Sequence, residues 1–437
     1  MDIVLFFEIH QPRRIRPDLH RVYPRVPNET EIFYHELDDA IFKRVTEKCY
    51  KKATEIILEA SREVPVKATF SISGLALEQF RKHAPEVLEL FRTLASREVA
   101  EFAAQTYYHS LAWFVDREEF REQVRQQVEA VGEHIGHNPQ VAENTEFIYN
   151  NDIACFLHSM GFNTVVTEGV ERVLGWRSPN YVYKAYGCDA RVLVRNYRLS
   201  DDVGFRFGDR RWDQWPLTAD KYAAWLEVTP GDVVLIAVDY ETFGEHHWPE
   251  SGIHHFLRWL FREIARRPRL HLATVSEAAG RHPPRDVYDV PPWASISWAD
   301  ERDLSAWLGN ELQRNAFALL TWLYPYAKAL GGEILRLWRL LSTSDHFYYQ
   351  AMKIGPAGEV HSYFSPYFTA HKAHDVYMYA IHSLAMAIQT AWGREAAERL
   401  AFKDERCFHG GGVQICSLTE LQNVDAGFKK RHRGDLM

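Results

Sequence analysis

Short apolar segments alternate with longer amphipathic segments over the first two thirds of the chain. The clearest apolar run is 233–238, which is typical of a strand covered on both faces. Alternating strands and helices over this length predict a parallel α/β barrel or a doubly wound sheet. The predicted strands are 3–9, 67–73, 98–104, 163–167, 190–196, 233–238 and 270–275, with a short segment at 140–146. Apolar residues at helical spacing predict helices at 37–60, 85–94, 117–135, 152–160 and 253–266.

The pattern changes after Glu277. Residues 281–292 are rich in proline and are typical of a linker or a crossing loop. Strand signals are few beyond that segment, and helical periodicity predominates. We therefore predict two domains, 1–282 and 283–437, of which the second is mostly helical. The helical stretches of that second domain are 303–320, 327–341 and 373–394.

Composition narrows the functional classes. The 437 residues carry a formal net charge of −8, which argues against a nucleic-acid surface as the main function. The 13 tryptophans would suit the apolar faces of sugar rings, although most are expected to fill the core. Residues 429–433 are basic and are expected to form a frayed tail.

The spacing of the cysteines and the hydropathy of the chain indicate the cellular compartment in which the protein is expected. Five scattered cysteines without a C-x-x-C motif argue against a disulfide framework or a zinc ribbon. The start of the chain has no basic region before its apolar run, so it predicts a first strand rather than a signal peptide. No apolar run approaches the length of a membrane span. We expect a cytoplasmic protein without membrane association.

Polar and titratable residues follow most of the predicted strands. In parallel α/β folds the carboxyl ends of the strands meet on one face, where catalytic groups gather. Residues far apart in sequence are therefore expected to converge on one cleft. The residues after the strands are Glu8, His10, Gln11, Gln105, Tyr107, Tyr108, His109, Glu143, Asn144, Glu146, Glu168, Arg195, Asn196, Asp239, Glu241, Glu245, His246, His247, Ser276 and Glu277.

Two of these carboxylates are the main candidates for chemistry. Glu146 lies in a segment rich in asparagine, and Asp239 is the first polar residue after the most apolar strand. A position directly after a buried strand holds a reactive group rigidly. Paired carboxylates at such sites can differ in acidity, so that one stays ionised and the other keeps its proton. Cleavage of a glycosidic bond needs this division of roles.

Seven sequence blocks, in this order, resemble glycoside hydrolase family 57 in its α-amylase branch. The resemblance covers nearly the whole chain, and its strength lies in the order of the blocks rather than in any single one. The blocks are IHQP (9–12), EFAAQTYYHSL (101–111), ENTEFIYNNDIA (143–154), VDYETFGEHHW (238–248), VSEA (275–278), SWADERDLSAWLGNELQ (297–313) and STSDHFYY (342–349).

The resemblance implies an incomplete, TIM-like (β/α)7 barrel followed by a C-terminal helical bundle that closes one side of the cleft. It implies cleavage of α-glucans with retention of configuration, with Glu146 as nucleophile and Asp239 as general acid. No cofactor or metal is expected, and the oligomeric state stays open. The resemblance also gives supporting residues: Glu241 with His246 or His247 to hold sugar hydroxyls or orient Asp239, His10, His109 and Asp345 as sugar-contacting or acid-supporting groups, and Trp248 and Trp298 for stacking or packing.

The chain departs from the family at Glu8, where many branches carry histidine. Three alternatives to hydrolysis remain open. The first is an α-glucanotransferase that uses the same two carboxylates. The second is a non-catalytic glucan-binding relative. The third is a metal-dependent polysaccharide deacetylase, with ligands among His10, His109, Asp239, His246 and His247. Against this third alternative, no ligand pair has helical spacing, and two adjacent histidines on extended backbone point to opposite sides.

Overall fold

One sheet in which parallel neighbours predominate positions the polar residues identified above. The computed structural model describes residues 1–21 and 28–401, so the basic segment 429–433 lies outside the described residues. The strands are β1 (Asp2–Ile9), β2 (Ala68–Ile72), β3 (Ala100–Ala103), β4 (Val141–Ala142), β5 (Thr164–Glu168), β6 (Val182–Ala185), β7 (Arg191–Arg195), β8 (Val233–Asp239), β9 (His271–Ala273) and β10 (Val287–Tyr288).

The helices follow the strands in the first part of the chain and predominate after residue 300. They are α1 (Glu29–Ile32), α2 (His35–Val45), α3 (Lys51–Ala60), α4 (Gly74–His83), α5 (Pro85–Ser96), α6 (Arg117–Ile135), α7 (Asn151–Ser159), α8 (Glu171–Leu174), α9 (Tyr197–Gly204), α10 (Ala219–Val228), α11 (Ile253–Ala265), α12 (Val275–Arg281), α13 (Ser305–Leu308), α14 (Glu311–Leu330), α15 (Gly332–Leu341), α16 (Ser344–Tyr348), α17 (Gly355–Phe364) and α18 (Ala370–Ala401).

The strand pairings form a continuous path. β1 pairs with β2, and β2 pairs with β3, both in parallel. A parallel bridge between Ala104 and Ala142 continues the path to β4. It then runs through β5 and β7 to β8, and β8 pairs in parallel with β1. Because these strands are parallel, their carboxyl ends lie on the same side of the sheet.

Strands β1 and β8 are buried on both faces. Ile3, Leu5 and Phe7 belong to one hydrophobic cluster, whereas Val4 and Phe6 belong to another. The same alternation places Val233, Leu235 and Ala237 of β8 with the second cluster. Burial on both faces explains why the sequence of β8 is apolar without alternation. By the period of two, Glu8 and Asp239 continue the row of the second cluster.

Residues 1–388 form one compact unit. Of residues 389–437, which are assigned to a second unit, the structure describes only the end of α18. The predicted boundary at 282/283 stays a prediction, and part of its second domain lies outside the described residues.

Several predicted elements agree with the structure. The helix predicted at 117–135 is α6, which begins after the cap Asp116 and ends at Gly136. The helix predicted at 37–60 is observed as α2 and α3, joined by a π-helical segment, Thr46–Tyr50.

Other elements differ from the prediction. The strand β6, which the sequence did not predict, pairs antiparallel with β7. The helix predicted at 303–320 divides into α13 and α14, because Asn310 caps a new helix there.

One disulfide lies in the described part of the chain. It joins Cys155 on α7 to Cys188 in the connection between β6 and β7. The sequence argued against a disulfide framework and gave no pairing, because the residues are separated by 33 positions and the β6–β7 hairpin was not predicted. Cys49 is a buried free thiol. Among the described residues, no helix has the length and apolar character needed to cross a membrane.

Candidate active site

A cavity of about 770 Å³ opens at the carboxyl ends of the parallel strands. Its lining brings together residues that are far apart in sequence, as the strand pattern predicted. Of the nine predicted site residues, eight line it, and seven of these are His10, His109, Glu146, Asp239, Glu241, His246 and Asp345. Trp298 also lines the cavity, whereas Trp248 is not part of the lining and is 60% exposed.

Glu146 lies in a tight turn directly after β4. The 3₁₀ turn Thr145–Phe147 holds Glu146 and Phe147 at φ values of 61° and 53°, in the left-handed region that such residues rarely adopt. The hydroxyl groups of Thr145 and Thr106 lie 2.7 Å apart and tie this turn to the segment after β3. Strained backbone of this kind costs about 1–3 kcal/mol per residue and clusters at functional sites.

Three side chains from other parts of the chain hold the Glu146 carboxylate. The indole Nε1 of Trp298 donates to its Oε2 at 2.8 Å. The Ser344 hydroxyl donates to its Oε1 at 3.2 Å, and His109 Nε2 lies 3.3 Å from the same oxygen. Donors of this kind favour the ionised form of a carboxyl group. Trp298 therefore holds Glu146 through a hydrogen bond, a role that was not predicted, since Trp298 was expected to stack or to pack.

His109 is fixed on both ring nitrogens. Its Nδ1 lies 2.7 Å from Gln105 Oε1, and the Gln105 amide group is itself oriented because its Nε2 donates to Ser71 Oγ at 2.8 Å. Nδ1 therefore carries a proton. Its Nε2 faces the Glu146 carboxyl group at 3.3 Å. His109 also adopts a positive φ of 49°.

Asp239 is the last residue of β8, and no side chain among the described residues donates a hydrogen bond to its carboxyl group. Burial, followed by the negative charge of Glu146, raises the pKa of Asp239 to about 7. The charges of Arg195 and His109 oppose this rise. Asp239 therefore keeps its proton at pH values where an ordinary aspartate is ionised. The two carboxyl groups thus lie in one cavity with different hydrogen-bond surroundings.

Glu241 is held by the π-helical segment. Tyr50, the last residue of that segment, donates its phenolic hydrogen to Glu241 Oε1, and Gln11 Nε2 lies 3.5 Å from the same oxygen. Burial and the charge of Asp239 raise the pKa of Glu241 to about 8. π-helical insertions frequently occur at functional sites, where they re-aim side chains. The sequence pattern indicated a helix but gave no signal for the insertion.

His10 and Asp345 form a pair at the edge of the cavity. His10 Nε2 lies 3.0 Å from Asp345 Oδ2, and its Nδ1 lies 2.8 Å from Ser73 Oγ. The His10 ring stacks on His109, with centroids 4.1 Å apart. Burial and the charge of His109 lower the pKa of His10 to about 4. Although burial opposes ionisation, the histidines keep the pKa of Asp345 below its usual range.

The two adjacent histidines have different surroundings. The His246 ring lies 5.3 Å from the Phe364 ring, and burial followed by the nearby His247 lowers its pKa to about 3. His247 Nε2 instead lies 3.0 Å from the carbonyl oxygens of Val203 and Gly204, so it supports α9. Within the described residues, no group of three or more histidine, cysteine or carboxylate side chains is arranged to hold a metal ion.

Arg195, Ser344 and Tyr50 were not among the predicted site residues. Arg195 lines the cavity and forms ion pairs with Glu168 at 3.0 Å and Asp201 at 2.6 Å. Its position after a strand was a usable signal, and Ser344 directly precedes the predicted Asp345. Tyr50 could not be found, because its contact with Glu241 depends on the π-helical insertion.

Comparison with known proteins identifies the family. A family model described as glycosyl hydrolase family 57 matches residues 4–291, which is well over half of the 437 residues. The chain belongs to glycosyl hydrolase family 57. It is therefore a glycoside hydrolase enzyme, as the seven sequence blocks predicted. The parallel-dominated sheet with its flanking helices is consistent with this α/β family.

Two family 57 relatives show how far the similarity extends. A protein of Methanocaldococcus jannaschii that carries a provisional alpha-amylase name is 42% identical over 404 residues, covering 89% of this chain and 85% of that protein. The 4-alpha-glucanotransferase of Thermococcus kodakarensis is 23% identical over 263 residues, covering 57% of this chain but 38% of that protein. This chain therefore matches only a part of the longer relative.

The fold is shared with a solved family 57 structure. The crystal structure of a branching enzyme from Pyrococcus horikoshii matches with a TM-score of 0.66 at 14% identity. The match covers 90% of this chain and 91% of that one. At this level of identity the likeness concerns the fold.

Proposed function

We propose that this protein cleaves α-1,4-glucosidic bonds of α-glucans by double displacement, with retention of configuration at the anomeric carbon. Glu146 is the nucleophile and Asp239 is the general acid. The alpha-amylase name of the Methanocaldococcus relative supports the substrate class. Starch, glycogen and maltooligosaccharides all present this bond.

The observation that carries the proposal is the difference between the two carboxyl groups in one cavity. Glu146 has side-chain donors on both oxygens. Burial and the charge of Glu146 raise the pKa of Asp239 to about 7, so Asp239 keeps its proton below that pH. A retaining glycosidase needs one ionised nucleophile and one protonated acid, with the carboxyl groups about 5–5.5 Å apart.

The proposed reaction uses these states in turn. Asp239 gives its proton to the glycosidic oxygen as the bond to the anomeric carbon breaks. The Glu146 carboxylate attacks that carbon from the opposite face and forms a glycosyl-enzyme ester. Asp239, now ionised, takes a proton from water as the water attacks the ester. Release of the sugar returns Glu146 to its carboxylate and Asp239 to its acid.

The surrounding groups have supporting roles in this proposal. His10, His109, Glu241, His246 and Asp345 line the cavity and contact sugar hydroxyls or support the acid. The strand path that returns to β1 supports the proposed incomplete, TIM-like (β/α)7 barrel, and the helices after residue 300 support a C-terminal bundle beside the cleft. Trp248 stays a candidate for stacking at the cleft edge, where the Lys48 ammonium group lies 4.2 Å from its ring centroid.

Transfer to a second glucan is the alternative activity. The glycosyl-enzyme ester can be opened by a sugar hydroxyl instead of water, and a relative is named as a 4-alpha-glucanotransferase. The same two carboxyl groups serve both outcomes. The products therefore decide between hydrolysis and transfer.

The test is incubation of the purified protein with maltoheptaose, followed by separation of the products. Hydrolysis gives only shorter sugars, whereas transfer gives shorter and longer ones. We expect Glu146→Gln to lower kcat by about 10⁴-fold, because the nucleophile is lost. The exposed Glu250 provides the control, since Glu250→Gln should leave turnover unchanged. We expect EDTA to have no effect. Substantial turnover by Glu146→Gln would disprove the assignment of the nucleophile, and loss of turnover in EDTA would favour a metal-dependent reaction.

A further inference from the structure

Glu8 is a buried carboxyl group that the proposed reaction does not use. It is 2% exposed, and neither of its oxygens has a hydrogen-bond partner among the described residues. His109 Nδ1 lies 3.4 Å from Glu8 Oε1, but the proton on that nitrogen is directed to Gln105, which is closer at 2.7 Å. A buried carboxylate without a donor would lose its hydration without compensation.

Strand register places Glu8 beside Asp239. The two residues are direct partners in the parallel pairing of β1 with β8. Both continue the inward-facing row of their strands, after Val4 and Phe6 in β1 and after Leu235 and Ala237 in β8. Neighbouring strands lie about 4.8 Å apart, so side chains of partners on one face are adjacent.

Acidic groups surround Glu8 on several elements. Glu143 follows β4 and is fully buried, with the Ser71 hydroxyl group as a hydrogen-bonding neighbour. The others are Glu146 in the turn after β4, Asp239 at the end of β8 and Glu241 after it. Burial and the charges of these four groups raise the pKa of Glu8 well above its ordinary value. The imidazole ring of His109 is the basic group that faces Glu8.

We propose that Glu8 is a positioning residue that stays a neutral carboxylic acid and directs its O–H group across the β1–β8 register to Asp239. This inference rests on the proposed function. Asp239 becomes negatively charged when it gives its proton to the leaving oxygen. A donor already placed beside it stabilises that charge without reorganisation. Glu8 keeps its own proton throughout, so no additional proton transfer is needed.

The role of the O–H group is tested by comparing Glu8→Gln with Glu8→Leu. The glutamine amide retains a neutral donor, so we expect kcat within about threefold of the wild type. Leucine has no donor, and loss of a hydrogen bond to a charged group lowers kcat by about 10–100-fold. The alkaline limb of kcat/KM then moves up by about one pH unit in Glu8→Leu only, because the Asp239 carboxylate is less stabilised. Equal behaviour of both variants and the wild type would overturn the proposal.

The neutral state of Glu8 is tested by unfolding at different pH. A raised pKa means that the folded protein binds a proton that the unfolded chain releases above about pH 4.5. The wild type therefore loses stability as pH rises above that value, until Glu8 ionises in the folded state. Relative to Glu8→Gln, its unfolding equilibrium constant should increase about tenfold per pH unit over this range. The exposed Glu89 gives the control, since Glu89→Gln should keep the wild-type slope.

Infrared difference spectra give a direct readout of the same state. The difference between the spectra of the wild type and Glu8→Gln at neutral pH should contain the carbonyl stretch of one protonated carboxyl group, since Asp239 and Glu241 contribute to both spectra. No difference in slope and no such band would overturn the proposal, because Glu8 would then be ionised. A protein that cleaves no α-glucan would contradict the proposed function instead, and the unfolding and infrared experiments would still decide the state of Glu8.

Discussion

Asp239, the proposed general acid, is expected to set the pH dependence of turnover. The proposed acid must be protonated, and its pKa is raised to about 7. We therefore expect kcat/KM for maltoheptaose to fall about tenfold per pH unit above pH 7. Asp239→Asn should remove most activity on this substrate but retain much more on an aryl maltoside, whose leaving group needs no proton. An alkaline limb that persists in Asp239→Asn would assign it to another group.

The support that Trp298 gives to Glu146 depends on a single N–H group of its indole ring. Trp298→Phe removes the indole N–H that donates to Glu146 but keeps an aromatic ring against Phe147. We expect kcat to fall about 10–100-fold with little change in KM, because a donor to a charged group is lost. Trp322→Phe is the control, since that residue is 62% exposed. A variant that raises KM and preserves kcat would indicate that Trp298 stacks on sugar instead.

At the scale of elements, the π-helical segment and the turn after β8 depend on one glycine. Gly244 has a φ of 143°, and a Cβ atom there would lie 2.0 Å from the Lys48 carbonyl oxygen. The close approach lets Cys49 Sγ donate to the Tyr240 carbonyl oxygen at 2.9 Å. The same packing brings Tyr50 to Glu241.

Gly244→Ala should therefore separate these two elements. We expect the free energy of unfolding to fall by about 3 kcal/mol or more, from overpacking and an unfavourable φ. Gly252→Ala is the matched control, because Gly252 also has a positive φ, of 86°, but has open space around its Cβ position. That variant should lose about 1–2 kcal/mol. Thermal or urea unfolding measures both, and equal losses would show that the contact with Lys48 can relax.

Predictability from sequence also differs between elements. The buried strand β8 and the amphipathic helix α6 were predicted because period and length are local signals. The short strand β6 is partly polar and depends on its pairing with β7, so no local signal gave it. Helix α14 continues through Pro325, where the sequence favoured an interruption.

At the scale of the whole molecule, the convergence of the strand ends on one cavity was predictable, because parallel strands place their carboxyl ends together. Glu146 and Asp239 were found in this way, and the family resemblance gave their proposed roles. The donors to Glu146 were not predictable from pattern. Trp298 and Ser344 lie 152 and 198 positions away from it, and only the packed chain brings them near.

Because these donors follow Glu146 in the sequence, the ribosome makes them after the carboxyl group that they hold. A nascent chain that has left the ribosome only as far as residue 290 already contains both proposed catalytic carboxyl groups. It still lacks Trp298, Ser344 and Asp345, which hold Glu146 and His10. Full activity in the proposed reaction is therefore expected only after residues 298–345 have been made and have folded against the sheet.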